Sequence, residues 1–310
     1  MPTVAVADVQ PREVQEPAHR SWAFLTPRFV TLALLGAAAF VLLYLATLRF
    51  YFSDVTARDA SYAIGTAGRA DTLDVTATVL AVDTARNTAT IRLSFVPHGS
   101  YAAAPDVLAR PLLVATNSTT GARDRTVAAG RAVIPEEVTI DLEGDVSDYP
   151  IDRYTGRLDV DVSDGAGTPS NPGPAVPIQL AVKDALRGLD AYPALDPASK
   201  DGDVSVALTI VRSRTTLAFA AFIMFASALV TVVVLLVVSL MILQRRRFEF
   251  GMLGWIAGLL FALPAVRNVM PGIPSVGALS DYIVLFWALG FLVAAMVWIA
   301  IVWVRNPVHP

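Results

Sequence analysis

Two hydrophobic patterns divide the chain. In residues 72–82, Leu73, Val75, Ala77, Val79 and Ala81 share one face, and Thr72, Asp74, Thr76 and Thr78 the other. The same alternation places Ala89, Ile91, Leu93 and Phe95 inward in 88–96, Val138, Ile140 and Leu142 in 137–143, and Val204, Val206, Leu208 and Ile210 in 203–212. A period of two rich in β-branched residues is a half-buried strand. Further strands are predicted over 111–117, 124–128, 157–163 and 176–182. Some seven or eight short strands with turn residues between them predict an antiparallel β-sandwich across residues 51–214. The stretch 164–177 is rich in Pro and Gly and reads as a surface loop. Residues 183–203 read as a second loop, with Leu189, Tyr192 and Leu195 clamping it to the sandwich or meeting a partner.

Outside this region alternation gives way to long uncharged runs at 29–48, 215–243, 250–266 and 282–304. A membrane-spanning helix needs roughly 20 apolar residues, so each run is a candidate span. The second is long enough to tilt, and the third is short and carries Pro264. Trp22, Phe24 and Tyr51 flank the first run, and Trp298 and Trp303 end the fourth, as interfacial aromatic belts do. The first run is too long for a signal-peptide core, and Arg49, Phe50, Tyr51 and Phe52 follow it without a small-residue cleavage site, so it reads as a retained anchor.

Arginine placement sets the expected orientation. Arg12, Arg20 and Arg28 precede the first run, Arg245, Arg246 and Arg247 separate the second from the third, and Arg305 follows the fourth, whereas the opposite short loop holds Arg267 alone. By the positive-inside rule both termini are cytoplasmic. The expected layout is a cytoplasmic tail over 1–28, a span at 29–48, an extracytoplasmic domain at 51–214, spans at 215–243 and 250–266, an outer loop at 267–281, a span at 282–304 and a cytoplasmic tail at 305–310. This describes a multi-pass protein of the cytoplasmic membrane. Composition agrees: 55% of residues are hydrophobic, 16% are charged, and the net charge is −3, against about 25% charged in ordinary soluble domains. Lys183 and Lys200 are the only lysines and alanine is abundant, the bias of a GC-rich, actinobacterial genome.

The candidate chemistry is sparse. The absence of Cys excludes disulfides, thiolate metal sites and thiol nucleophiles, and His19, His98 and His309 are too scattered for a metal cluster. Asp141, Glu143, Asp145, Asp148 and Asp152 form an acidic run that could offer oxygens to a hard cation. Val146 stands where the turn glycine of a calcium loop belongs, and the alternative is a solvated acidic edge. Asn117-Ser118-Thr119 matches a glycosylation pattern and is assigned no role. Catalytic and nucleotide-binding signatures are missing. Charge is absent from the span centres, which argues against proton-coupled transport. Gly251, Gly254 and Gly258 offer a small-residue face for packing against another span or another copy. Tyr149 and Tyr154 flank a Pro turn and are expected at the membrane-facing end, against the apolar Met270–Pro274 segment. Asp152 would there pair with Arg212 or Arg267.

The stretch 245–287, with its Arg-Arg-Phe-Glu-Phe-Gly turn, Leu-Phe-Ala-Leu-Pro helix end, Arg267-Asn268 and Pro271-Gly272-Ile273-Pro274, resembles a bacterial and fungal membrane family known as domain of unknown function 4436. The Tyr149-Pro150-Ile151-Asp152-Arg153-Tyr154 turn is similar to that family as well. The resemblance implies one span, an outer β-domain and three further spans in a mycobacterial-type protein, and it carries no activity. The same turn, and a strand ending in Arg just before a helix, are also similar to pentameric ligand-gated channels, although this chain lacks a pore-lining helix with polar rings. Past Thr215 and Thr216 at its start, the second span offers only Ser227, Thr231 and Ser239 as polar residues. The expected function is non-enzymatic: a cell-envelope membrane protein whose sandwich binds or scaffolds. An oligomeric channel gated through the sandwich is the first alternative. An envelope lipid or glycan enzyme using Asp141, Asp145 or Asp152 is the second. The expected partners are the lipid bilayer and a membrane or envelope protein or another copy; no nucleic acid and no cofactor is expected.

Overall fold

The computed structural model describes residues 61–65, 70–165, 173–200, 202–243 and 251–305, with scattered helical positions between Thr31 and Phe52. The chain divides into two compact units, Met1–Ala46 and Thr47–Pro310, and the strands and C-terminal helices all lie in the second. Most of the predicted span at 29–48, the terminal tails, residues 166–172 and Arg245, Arg246 and Arg247 lie outside the described residues.

The strands are β1 (Ser61–Gly65), β2 (Leu73–Asp83), β3 (Thr88–Pro97), β4 (Ala102–Ala104), β5 (Val107–Leu108), β6 (Leu112–Thr116), β7 (Asp124–Val127), β8 (Glu136–Gly144), β9 (Arg153–Asp164), β10 (Ile178–Asp184), β11 (Leu189–Leu195) and β12 (Asp203–Arg212). Three helices follow: α1 (Arg214–Leu243), α2 (Gly251–Arg267) and α3 (Phe286–Arg305), the last entered through a π-helical turn at Asp281–Leu285.

Ten strands form one connected sheet in the order β1-β10-β2-β3-β8-β9-β12-β11, with β6 on β9 and β7 on β6, while β4 and β5 make a separate hairpin. Strand β8 joins the two wings. It pairs with β3 from Leu93↔Glu136 to Thr88↔Asp141, then with β9 from Leu142↔Gly156 to Gly144↔Tyr154. The wings share one core, in which Leu73, Ile91 and Leu180 from one pack with Leu158, Val206 and Leu208 from the other.

Three expectations are corrected. The sheet is mixed rather than antiparallel, because β10 runs parallel to β2, Ile178 opposite Leu73. Alternation assigns faces but not neighbours. Ala81 is exposed, because a bulge between Val79 and Ala81 shifts the register and reverses the facing of the residues beyond it. Residues 189–195 form edge strand β11, antiparallel to β12, instead of a loop. Only Leu189 of the expected patch is buried; Tyr192 and Leu195 are exposed.

One side chain closes a gap in the sheet. Along the edge of β9 opposite β12, β8 pairs near Tyr154 and β6 pairs from Val160 onward. Between them Asn117 Nδ2 donates to the Arg157 carbonyl at 2.8 Å, and Asn117 Oδ1 accepts from the Asp159 N–H at 3.1 Å. The carboxamide thus stands in for a strand. Ser118 Oγ accepts from Thr139 N–H and Thr119 N–H donates to the Thr139 carbonyl, stapling the same segment to β8.

The helices reverse the usual burial. In α1 the buried positions Ala220, Ile223, Ser227, Thr231, Val234, Val238 and Met241 recur every three or four residues as one narrow stripe. Ala288, Leu292, Ala295 and Ile299 form the matching stripe of α3. The remaining surface is apolar as well: Phe225, Leu229, Val232 and Leu236 of α1 are exposed, as are Trp287, Phe291 and Val304 of α3, and Phe261 of α2 is 82% exposed. In a water-soluble bundle that face would be charged. Ser227 and Thr231 donate to the carbonyls of Ile223 and Ser227 in their own helix, so their hydroxyls are satisfied locally.

Replacing Asn117 with Ala leaves the Arg157 carbonyl and the Asp159 N–H without their side-chain partner. The expected loss is about 1–3 kcal/mol, seen as a lowered thermal unfolding midpoint in detergent with the secondary-structure content unchanged.

Candidate coupling site between the sheet and the helices

The core alternation carries a charge to the sheet's end. On β12 the inward series Val204, Val206, Leu208 and Ile210 reaches Arg212 at its next step. On β9 the inward Tyr154 lies opposite Ile210, and one step outward along the chain is Asp152. Parity therefore sets Asp152 and Arg212 facing each other beneath the core. Arg212 Nε donates to Asp152 Oδ1 at 2.9 Å and Nη2 to Oδ2 at 2.7 Å, while Tyr154 Oη donates to Oδ2 at 2.8 Å. The Arg212 and Asp152 side chains are 6% and 0% exposed. Burial works against the guanidinium's charge, but the Asp152 hydrogen bonds and charge outweigh it, and Arg212 holds its proton more tightly than usual. Burial, then the bond to Asp152, raises the Tyr154 pKa. The Tyr154 ring fits because Gly144 lies opposite; a Cβ there would press on the ring.

Arg212 also meets the helices. Ser213 alone separates it from α1, and its hydroxyl caps that helix by accepting from Thr216 N–H, while Thr216 Oγ1 donates to the Gly188 carbonyl beside β11. The guanidinium carbon stands 5.0 Å from the centroid of the Tyr149 ring, a cation–π geometry. Tyr149 Oη donates to the Pro271 carbonyl at 3.2 Å, and Ser280 N–H donates to the Tyr149 carbonyl at 3.2 Å. Tyr149 packs in a small core with Ala220, Ile223, Met270 and Ala278, and Ile273 lies against it. Gly272 has φ +63°, and a Cβ there would collide with Arg212. Burial above all raises the Tyr149 pKa to about 12.

A second buried pair fixes the loop between α2 and α3. Arg267 Nε and Nη2 each donate to an Asp281 carboxylate oxygen at 2.8 Å, and Arg267 Nη2 also reaches the Ser275 carbonyl. Asp281 Oδ2 accepts from Gly277 and Ala278 N–H. Asp152 thus takes Arg212 and leaves Arg267 to Asp281, a partner the sequence reading did not name. Its signal was there: Asp281 is the only acidic residue after Glu249.

The other candidate residues are dispersed. Asp145 caps the turn at Val146–Asp148, accepting from Ser147 Oγ and N–H, bonds that lower its pKa. Asp148 is exposed. Asp141 and Glu143 line an open groove of about 540 Å³ with Asn117, Thr155 and Arg157. The acidic run therefore does not converge, since Asp152 is buried with Arg212, and no metal-holding group of acids and histidines occurs among the described residues. Gly251, Gly254 and Gly258 face open space: among the described residues a Cβ on any of them would meet nothing within 4 Å.

Residues 63–210 match the family model described as Domain of unknown function (DUF4436), and residues 212–306 match a second one, Domain of unknown function (DUF8686). The stretch 245–287, likened above to the first family, therefore falls in the second match, while the Tyr149–Tyr154 turn falls in the first. No curated protein matches the chain. The two matches meet at Arg212, so its bond to Asp152 ties one to the other.

Replacing Asp152 with Ala strands the Arg212 charge, and a loss of about 3–5 kcal/mol is expected. Replacing both residues, Asp152→Leu with Arg212→Met, should recover much of it; thermal unfolding of the single and double variants in detergent measures the difference. Tyr149 also carries a pH dependence. Its folded pKa lies above the ordinary tyrosine value of 10.0, so the unfolded chain gives up its proton first. The stability Tyr149 contributes is complete below pH 10 and is lost as pH rises to about 12. Tyr149→Phe should flatten that part of the stability profile.

Proposed function

We propose that this chain is a non-enzymatic integral membrane protein of the cell envelope, whose mixed-sheet domain is a binding or scaffolding module held rigidly on its membrane helices. The buried Asp152–Arg212 pair carries the reading. It joins the end of the sheet to the start of α1 with only Ser213 between them, so a load on the domain reaches the helices without a flexible linker. Two helices, Arg214–Leu243 and Asp281–Arg305, are long and apolar enough to cross a membrane, and their exposed apolar faces suit lipid. In the proposed layout the short helix Gly251–Arg267 and the apolar run at 29–48 are the other two of four spans. In the proposed topology both termini are cytoplasmic and residues 51–214 are outside, following the arginine bias.

Three measurements test this. The full chain should stay with membranes through alkaline carbonate washing and come free only in detergent. A reporter active only in the cytoplasm, fused at Asn171, should be silent; a strong signal would invert the topology. Mild cross-linking and purification from native membranes should retain a protein partner or further copies, and recovery only as a lone monomer would remove the scaffold role.

The Tyr149 contact with Pro271 supports a second reading, an oligomeric channel gated through this junction, since motion of the turn would press on the α2–α3 loop. Single-particle imaging distinguishes it: a ring of subunits around a pore supports the channel, and a poreless particle ends it.

A further inference from the structure

We propose that the base of the sheet domain is itself a lipid-contacting surface, with Ile151, Val269, Val276 and Tyr282 lying in the headgroup–acyl boundary of the bilayer; this rests on the membrane-spanning reading of α1 and α3. Ile151 is 67% exposed, although Tyr149, Pro150 and Asp152 around it are buried. Its exposure is imposed by the turn: Ile151 N–H donates to the Asp148 carbonyl at 3.0 Å while its neighbours are drawn into the junction. The turn leans on the α2–α3 loop through the Tyr149–Pro271 and Ser280–Tyr149 bonds. Within that loop Met270 and Ile273 pack under Tyr149, whereas Val269 and Val276 are exposed.

Lipid is the occupant because the apolar outer face of α3 does not stop where the helix does. Phe286 and Trp287 lead back through Ile283 to Tyr282, all exposed, and Val276 is exposed in the loop that precedes them. Tyr282 stands edge-on to Phe286 at 5.2 Å, with an apolar ring and a polar tip, the residue type that marks the membrane–water interface. It directly follows Asp281, whose carboxylate ties down Gly277 and Ala278, so the loop is anchored at the level of Tyr282. Isolated surface isoleucines need no explanation, but exposed apolar side chains gathered at the helix end of a membrane protein do. Two of the neighbouring charges agree, while Asp148 and Arg153 on either side of Ile151 are exposed and belong on the headgroup side of that boundary. Arg212 and Arg267 are each held bidentate by a fully buried aspartate, which suits a level where an unpaired charge is costly.

The chain has no cysteine, so Ile151→Cys, Val276→Cys, Leu236→Cys and Ile134→Cys each create one labelling site in the full-length protein. Leu236 is exposed on α1 and serves as the bilayer reference; Ile134 is exposed just before β8, at the end away from the junction, and serves as the aqueous reference. Each variant carries a bimane label and is reconstituted in phosphatidylcholine vesicles with or without brominated acyl chains. Labels at Leu236, Ile151 and Val276 should lose fluorescence in brominated lipid and resist aqueous iodide, while Ile134 should do the reverse. If Ile151 and Val276 behave like Ile134, the base is in water and the proposal fails. If they resist both quenchers, protein covers the surface and the proposal fails in favour of a partner. If Leu236 also behaves like Ile134, the membrane reading itself falls, a result distinct from failure at the base alone.

Discussion

A guanidinium that has left water must find a carboxylate, and the junction of this protein is arranged around that demand. Arg212 lies on the inward face of its strand because the alternation that buries Ile210 leaves it no other side. Once there, it needs Asp152 directly across, Tyr154 to satisfy the carboxylate further, Tyr149 beneath its face and Gly272 to keep the loop backbone close. A buried pair of this kind adds little net stability over an apolar replacement, but losing one member is severe. Its contribution here is geometric. It admits one relative placement of the sheet, the start of α1 and the loop before α3.

The two halves of the second unit handle the same apolar composition oppositely. In the sheet, Leu, Val and Ile turn inward from both wings to a common core. In the helices a narrow stripe faces inward and most apolar side chains face outward. The change occurs across Ser213. Hydrophobic burial across it is confined to the small core in which Tyr149 meets Ala220, Ile223, Met270 and Ala278, because one half has most of its apolar surface inside and the other outside. Directional contacts add to it: the bidentate Asp152–Arg212 pair, the Thr216–Gly188 hydrogen bond and the hydrogen bonds of Tyr149.

The two family matches divide the chain at the same place. The residues that make the junction come from both sides of that division, Tyr149, Asp152 and Tyr154 from one and Arg212, Arg267, Gly272 and Asp281 from the other. The contact belongs to neither part alone, which is why the proposed scaffold and channel readings both look to it rather than to the groove beside Asp141 and Glu143.

Sequence alone determined what depends on neighbours along the chain. Period-two alternation identified the buried faces of β3, β8 and β12, and unbroken apolar runs identified the helices, since side-chain direction follows local geometry. Tertiary structure decided what depends on neighbours in space. The bulge that exposes Ala81 and the parallel placement of β10 arise from pairing, and β11, with Pro193 in it, becomes a strand only because β12 offers it an edge. Asn117, which resembled a modification site, is a rung between strands because β8 and β6 leave a gap along β9. Two arginines and two aspartates could be exchanged between pairs on paper. Strand register placed Asp152 opposite Arg212, and the short loop after α2 brought Asp281 back to Arg267, because a charged side chain can reach only as far as its backbone is carried.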